Sequence, residues 1–79
     1  MNTEELLKES LKVYLIQRLY KIESELFLLR KKYGVKDMEE FNKKVSHGIL
    51  SEEKSYDDYF LFDNLQDDRN KIMKFLEQF

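Results

Sequence analysis

Between Thr3 and Tyr33 apolar residues return every third or fourth position, with no glycine or proline to interrupt them. Leu7, Leu11, Leu15, Leu19, Ile22, Leu26, Leu29 and Tyr33 form one such series, the spacing of a buried helical stripe. At 100° per residue they cover roughly 120° of the helix circumference. A thinner stripe, Leu6, Val13, Ile16, Tyr20 and Phe27, lies nearly opposite. Lys12, Glu23 and Arg30 fill one polar sector between the stripes, and Gln17, Lys21 and Lys32 the other. A surface helix of a monomer needs only one apolar face. Two faces predict that one packs within the chain while the other meets a partner.

The remaining pattern is shorter. Asp37 followed by Glu40 starts a helix whose stripe is Met38, Phe41 and Val45, with Val35 stapling onto Phe41. After Gly48 the chain passes Ile49 and Leu50 to Ser51 and Ser55, either of which can cap a last helix. That helix carries its main stripe at Leu61, Leu65, Ile72, Leu76 and Phe79, widened by Phe62, Met73 and Phe75. No stretch alternates with period two over a useful length. The sequence therefore predicts a single all-α domain over residues 1–79, with helices about 3–33, 38–47 and 55–78. It is expected to fold as a long antiparallel helical hairpin with the short helix at the bend. A first helix of roughly 45 Å is too long for the remaining chain to enclose. The core is expected to be completed by dimerisation in coiled-coil fashion.

Helix punctuation supports these boundaries. Asn2 with Glu5 three residues on gives a capping-box-like start, and Gly34 a left-handed stop. Glycine occurs only at positions 34 and 48 and proline not at all, so the chain has two strong breaks. Cysteine is absent, which excludes a disulfide framework and thiolate metal sites and agrees with a reducing cytoplasm. The opening Met-Asn-Thr-Glu-Glu is acidic and polar, unlike a secretory signal, and no apolar run approaches a membrane span. A cytoplasmic, membrane-free protein is the expectation.

The net charge of −2 gives no overall attraction to nucleic acid. Its distribution is uneven: residues 1–36 carry +3, residues 37–50 carry −1 and residues 51–79 carry −4. A basic first helix and an acidic last one attract each other when antiparallel, so the asymmetry is expected to serve the fold. Arg69 interrupts the last stripe and is expected to pair with a first-helix carboxylate such as Glu25.

Candidate chemistry is thin. His47, the only histidine, precedes Gly48 at a helix C-terminus, where a structural role outweighs a catalytic one without a second His or Cys. Glu52, Glu53, Asp57 and Asp58 suit the positive end of a helix dipole, and no calcium loop is present. Arg18, Arg30 and Arg69 are too few for a carboxylate-clamping helical enzyme. No catalytic residue, cofactor or metal is therefore expected. Arg30, Lys31, Lys32, Lys43 and Lys44, with Lys36 between the two groups, gather near the bend. They are candidate phosphate contacts for a nucleic-acid-associated accessory protein, or simply a dipole-matched helix end. Tyr56, Tyr59, Phe60 and Phe62, interleaved with Asp57, Asp58 and Asp63, are candidate partner anchors, or packing for the short helix.

Lys32-Tyr33-Gly34, then Glu39-Glu40-Phe41, then Asp57-Asp58-Tyr59 with Phe62-Asp63 and Leu65, resembles small antitoxin-like proteins of prokaryotic toxin–antitoxin pairs. The similarity spans roughly residues 26–66, with Phe62 nearest the position where a tryptophan stands in that family. It implies a small helical partner that binds a toxin or a second copy of itself. The expectation is a non-enzymatic interaction module, a homodimer through Leu6, Val13, Ile16, Tyr20 and Phe27 or the binder of another protein.

Overall fold

The computed structural model describes residues 2–79. Among them α1 spans Thr3–Tyr33, α2 Met38–Ser46 and α3 Glu52–Leu76, with no strand. The fold is all-α. α3 returns antiparallel along α1, and α2 sits at the bend, giving a rod of 56 × 17 × 17 Å.

Each boundary has a local cause. Asn2 Oδ1 accepts the Glu5 N–H at 2.8 Å and opens α1. Gly34 closes it at φ +64°, and the Val35 N–H turns back to the Arg30 carbonyl at 3.0 Å. Asp37 Oδ1 caps α2 through the Glu40 N–H, while Glu40 Oε2 accepts from the Lys36 N–H. At the other end, Gly48 at φ +73° makes a full Schellman turn. Its N–H bonds the Val45 carbonyl, and the Ile49 N–H bonds that of Lys44. α2 therefore ends at Ser46, one residue short of the expected boundary.

Two expectations for α3 change. It starts at Glu52 rather than near 55, because Ser51 takes the cap. Ser55 is drawn inside instead, donating its hydroxyl to the Ser51 carbonyl at 2.6 Å. The buried face is also rotated from the predicted stripe. It runs Ser55, Tyr59, Phe62, Leu65, Ile72 and Leu76, whereas Leu61 and Phe79 are each 44% exposed. Accepting a bonded serine at its start and Arg69 at its middle keeps strict helical spacing and brings Phe62 to the centre. Apolar spacing alone favours Leu61.

The core is concentrated at the bend. Leu26, Phe41 and Phe62 are its largest fully buried side chains, joined by Ile22, Leu29, Val35, Leu65 and Ile72. Phe41 contacts three rings, Tyr33 at 4.8 Å, Tyr59 at 5.5 Å and Phe62 at 5.8 Å between centroids. Away from the bend α3 runs out. Phe75 and Phe79 reach only the level of Lys8 and Leu11, so Leu7 and Leu11, both expected in the buried stripe, are left exposed.

Ionic pairs fix the register of the two long helices. Arg69 Nε donates to Glu23 Oε1, not to Glu25, and Arg18 faces Asp68 at 3.7 Å. Lys32 and Tyr33 both donate to Asp58 Oδ2, the lysine at 2.7 Å.

Candidate interaction surface

Because α3 covers one side of α1 only, the opposite side has no neighbour among the described residues. Leu6, Val13, Tyr20 and Phe27 are 56%, 51%, 72% and 54% exposed, and Ile16 is half-buried. Leu28 and Tyr14 flank them, also exposed. Tyr20, Phe27 and Leu28 line a shallow depression with Glu23, Ser24 and Arg30. Lys31 Nζ lies 5.2 Å from the Phe27 ring centroid, over its face, in a cation–π contact. Arg30 is half-buried, and its Nε has no hydrogen-bond partner.

The four candidate anchors of α3 separate. Phe62 is fully buried and belongs to the core, so it cannot meet a partner. Tyr59 packs its ring on Phe41 and donates its hydroxyl to Asn42 Oδ1 at 2.9 Å, tying α2 to α3. Tyr56 and Phe60 stay exposed as an edge-to-face pair at 4.8 Å. They border a groove of about 430 Å³ with Asn42, Val45, Ser46, Glu52 and Ser55. The spacing of the aromatics was legible in the sequence. Their division between core and surface depended on the rotation of α3.

The cations near the bend are largely engaged within the chain. Lys44 Nζ donates to the carbonyl oxygens of Tyr33 and Gly34 at 3.1 and 2.9 Å, closing the negative end of the α1 dipole. Lys43 pairs with Glu39 at 3.6 Å, and Lys32 with Asp58. Lys44 was a candidate phosphate contact; its role as the cap of another helix was missed, although the dipole argument had pointed to that end. His47 is the exposed C-cap residue of α2.

Asp58 is the acceptor that Lys32 and Tyr33 share. Hydrogen bonds from the Lys32 ammonium and then the Tyr33 phenol hold its carboxyl below the ordinary range. Burial, followed by the bond to Asp58, pushes the Tyr33 phenol up. This arrangement is a clasp between the end of α1 and the start of α3. Among the described residues, no group of three or more His, Cys, Asp or Glu is placed to hold a metal ion. Nor is any described helix long and apolar enough to cross a membrane.

Fold and surface together define a small helical hairpin with an uncovered apolar face on its longest helix. The chain belongs to the family described as "Uncharacterized protein MJ0235", whose family model matches residues 1–79. It is 33% identical over 75 residues to "Uncharacterized protein MJ0235" of Methanocaldococcus jannaschii, an alignment covering 95% of this chain and 92% of that relative. No solved structure matches it.

Proposed function

We propose that this protein is a non-enzymatic helical interaction module whose binding surface is the outer face of α1, occupied by a second copy of the chain. The observation that carries this reading is the row Leu6, Val13, Tyr20 and Phe27, each more than half exposed on a helix whose opposite face is already packed. Burying an apolar side chain of this size contributes about 1.5–3 kcal/mol, and four in one row form a coherent contact rather than scattered surface leucines.

An antitoxin-like role, in which the same module neutralises another protein, is the most specific version. Its support is the resemblance around Lys32-Tyr33-Gly34 and Asp57-Asp58-Tyr59. Several residues carrying that resemblance build the bend: Tyr33 and Asp58 form the clasp, Gly34 ends α1, and Phe41 and Phe62 fill the core. Their likeness therefore speaks first for a shared bend. The exposed pair Tyr56 and Phe60 is the part of that segment available to a second protein.

Thermal unfolding tests the self-association. A dimer gains stability by mass action, so its midpoint rises with protein concentration. The wild type is expected to show this rise. Val13→Glu/Tyr20→Glu, whose side chains lie outside the core, is expected to remain helical with a midpoint independent of concentration. A wild-type midpoint that does not move with concentration would refute the self-association reading.

A further inference from the structure

The outer stripe of α1 has an internal symmetry. Leu6, Val13, Tyr20 and Phe27 stand seven residues apart. Reversed about the point between Ile16 and Gln17, the row maps onto itself, Leu6 onto Phe27 and Val13 onto Tyr20. We infer that α1 pairs with α1 of a second copy in antiparallel register, about a two-fold axis between Ile16 and Gln17. This rests on the self-association proposed above and specifies its geometry.

Three observations converge on the arrangement. The first is charge. α1 begins with Glu4 and Glu5 and ends with Arg30, Lys31 and Lys32. Antiparallel pairing sets each acidic first turn beside the partner's basic last turn and opposes the helix dipoles. Parallel pairing would stack acid on acid and base on base.

The second is shape. Phe75 and Phe79 reach the level of Lys8 and Leu11, so about the first turn of α1, from Thr3 to Leu7, projects beyond its own hairpin. In the antiparallel register that projection lies along residues 26–30 of the partner, where Phe27 and Leu28 are exposed. The seven-residue spacing matches a left-handed coiled contact, with helix axes about 8–10 Å apart.

The third is area. The chain exposes 6243 Å² for 9.7 kDa, whereas a compact monomer of that mass exposes about 5,100 Å². Its radius of gyration is 16.3 Å against about 12 Å for a compact chain of this length. The surplus, about 1,100 Å², is of the order that one partner buries in a standard interface, about 800 Å².

The chain has no cysteine, so single-cysteine variants take spin labels cleanly. Gln17→Cys and Thr3→Cys both lie on exposed turns of α1. Labelled full-length protein, checked for helicity by circular dichroism, is measured by pulsed dipolar spectroscopy alongside light-scattering mass. The antiparallel register predicts a short distance at position 17, below about 20 Å. At position 3 it predicts about 40 Å, the axial rise of the 27 residues separating facing positions. Short distances at both positions in a dimer would overturn the register and leave the self-association standing. Monomer mass with no dipolar signal at either position would overturn both.

Discussion

Lys44 closes the end of a helix to which it does not belong: its ammonium donates at 2.9 Å to the carbonyl of Gly34, the residue that caps α1. A second bond reaches the Tyr33 carbonyl at 3.1 Å. α2 is thereby held against the bend by a cation at the negative end of the α1 dipole as well as by Phe41. Lys44→Met keeps the length of the side chain and removes the donors. It is expected to cost about 1–2 kcal/mol in denaturant unfolding. A variant as stable as the wild type would show that the two bonds contribute nothing beyond what water supplies.

Gly34 has its own requirement. At φ +64° an alanine adopts a left-handed conformation that costs about 1–2 kcal/mol, and its Cβ would come within 3.3 Å of Lys44 Nζ. Gly34→Ala is expected to lower stability by that amount and, in addition, by what displacing the Lys44 ammonium costs. The same exchange at Gly48 meets the conformational cost alone, because nothing lies within 4 Å. Equal losses at the two sites would mean that the Lys44 contact is irrelevant.

The Asp58 clasp predicts stability limits at both ends of the pH scale. The carboxyl is held below its usual value, so its contribution is fully present above about pH 4. It is lost as pH falls through the lower, folded value. The Tyr33 phenol is pushed up, so its contribution is present below about pH 10 and lost as pH rises through the higher, folded value. Asp58→Asn should flatten the acid limb of a stability–pH curve, and Tyr33→Phe the alkaline limb. If Asp58→Asn leaves the acid limb unchanged, another carboxylate governs it.

Phe41 joins all three helices through Tyr33, Tyr59 and Phe62. Phe41→Ala removes a fully buried ring at an expected cost of about 3–5 kcal/mol, a large share of the stability of so small a domain. Loss of cooperative unfolding is the expected outcome in a circular-dichroism melt. A cooperative melt near the wild-type midpoint would show that α1 and α3 pair without the bend.

Much of the fold was legible because punctuation and periodicity agree. Asn2, Gly34, Asp37 and Gly48 mark helix ends by backbone requirements that depend on few neighbours. α3 was harder to read, since its face is set by tertiary partners. Arg69 stays on the inner side because its Nε–H donates to the Glu23 carboxylate, and Ser55 because its hydroxyl donates to the Ser51 carbonyl. With those bonds Ser55 is buried and Arg69 half-buried on the face turned inward, and Leu61 lies outside it. Of the outer stripe of α1, Leu6, Val13, Tyr20 and Phe27 lie exposed where the spacing put them, whereas Ile16 is half-buried and the exposed Tyr14 and Leu28 were not in it.

The central claim is that this outer stripe is an interface between copies of the chain. Light-scattering mass of the wild type and of Ile16→Glu/Phe27→Glu tests it most directly. Wild-type protein is expected at about twice the 9.7 kDa chain mass, and the variant as a folded monomer. A wild type that stays at 9.7 kDa at high concentration, or a variant that remains a dimer, would contradict the account.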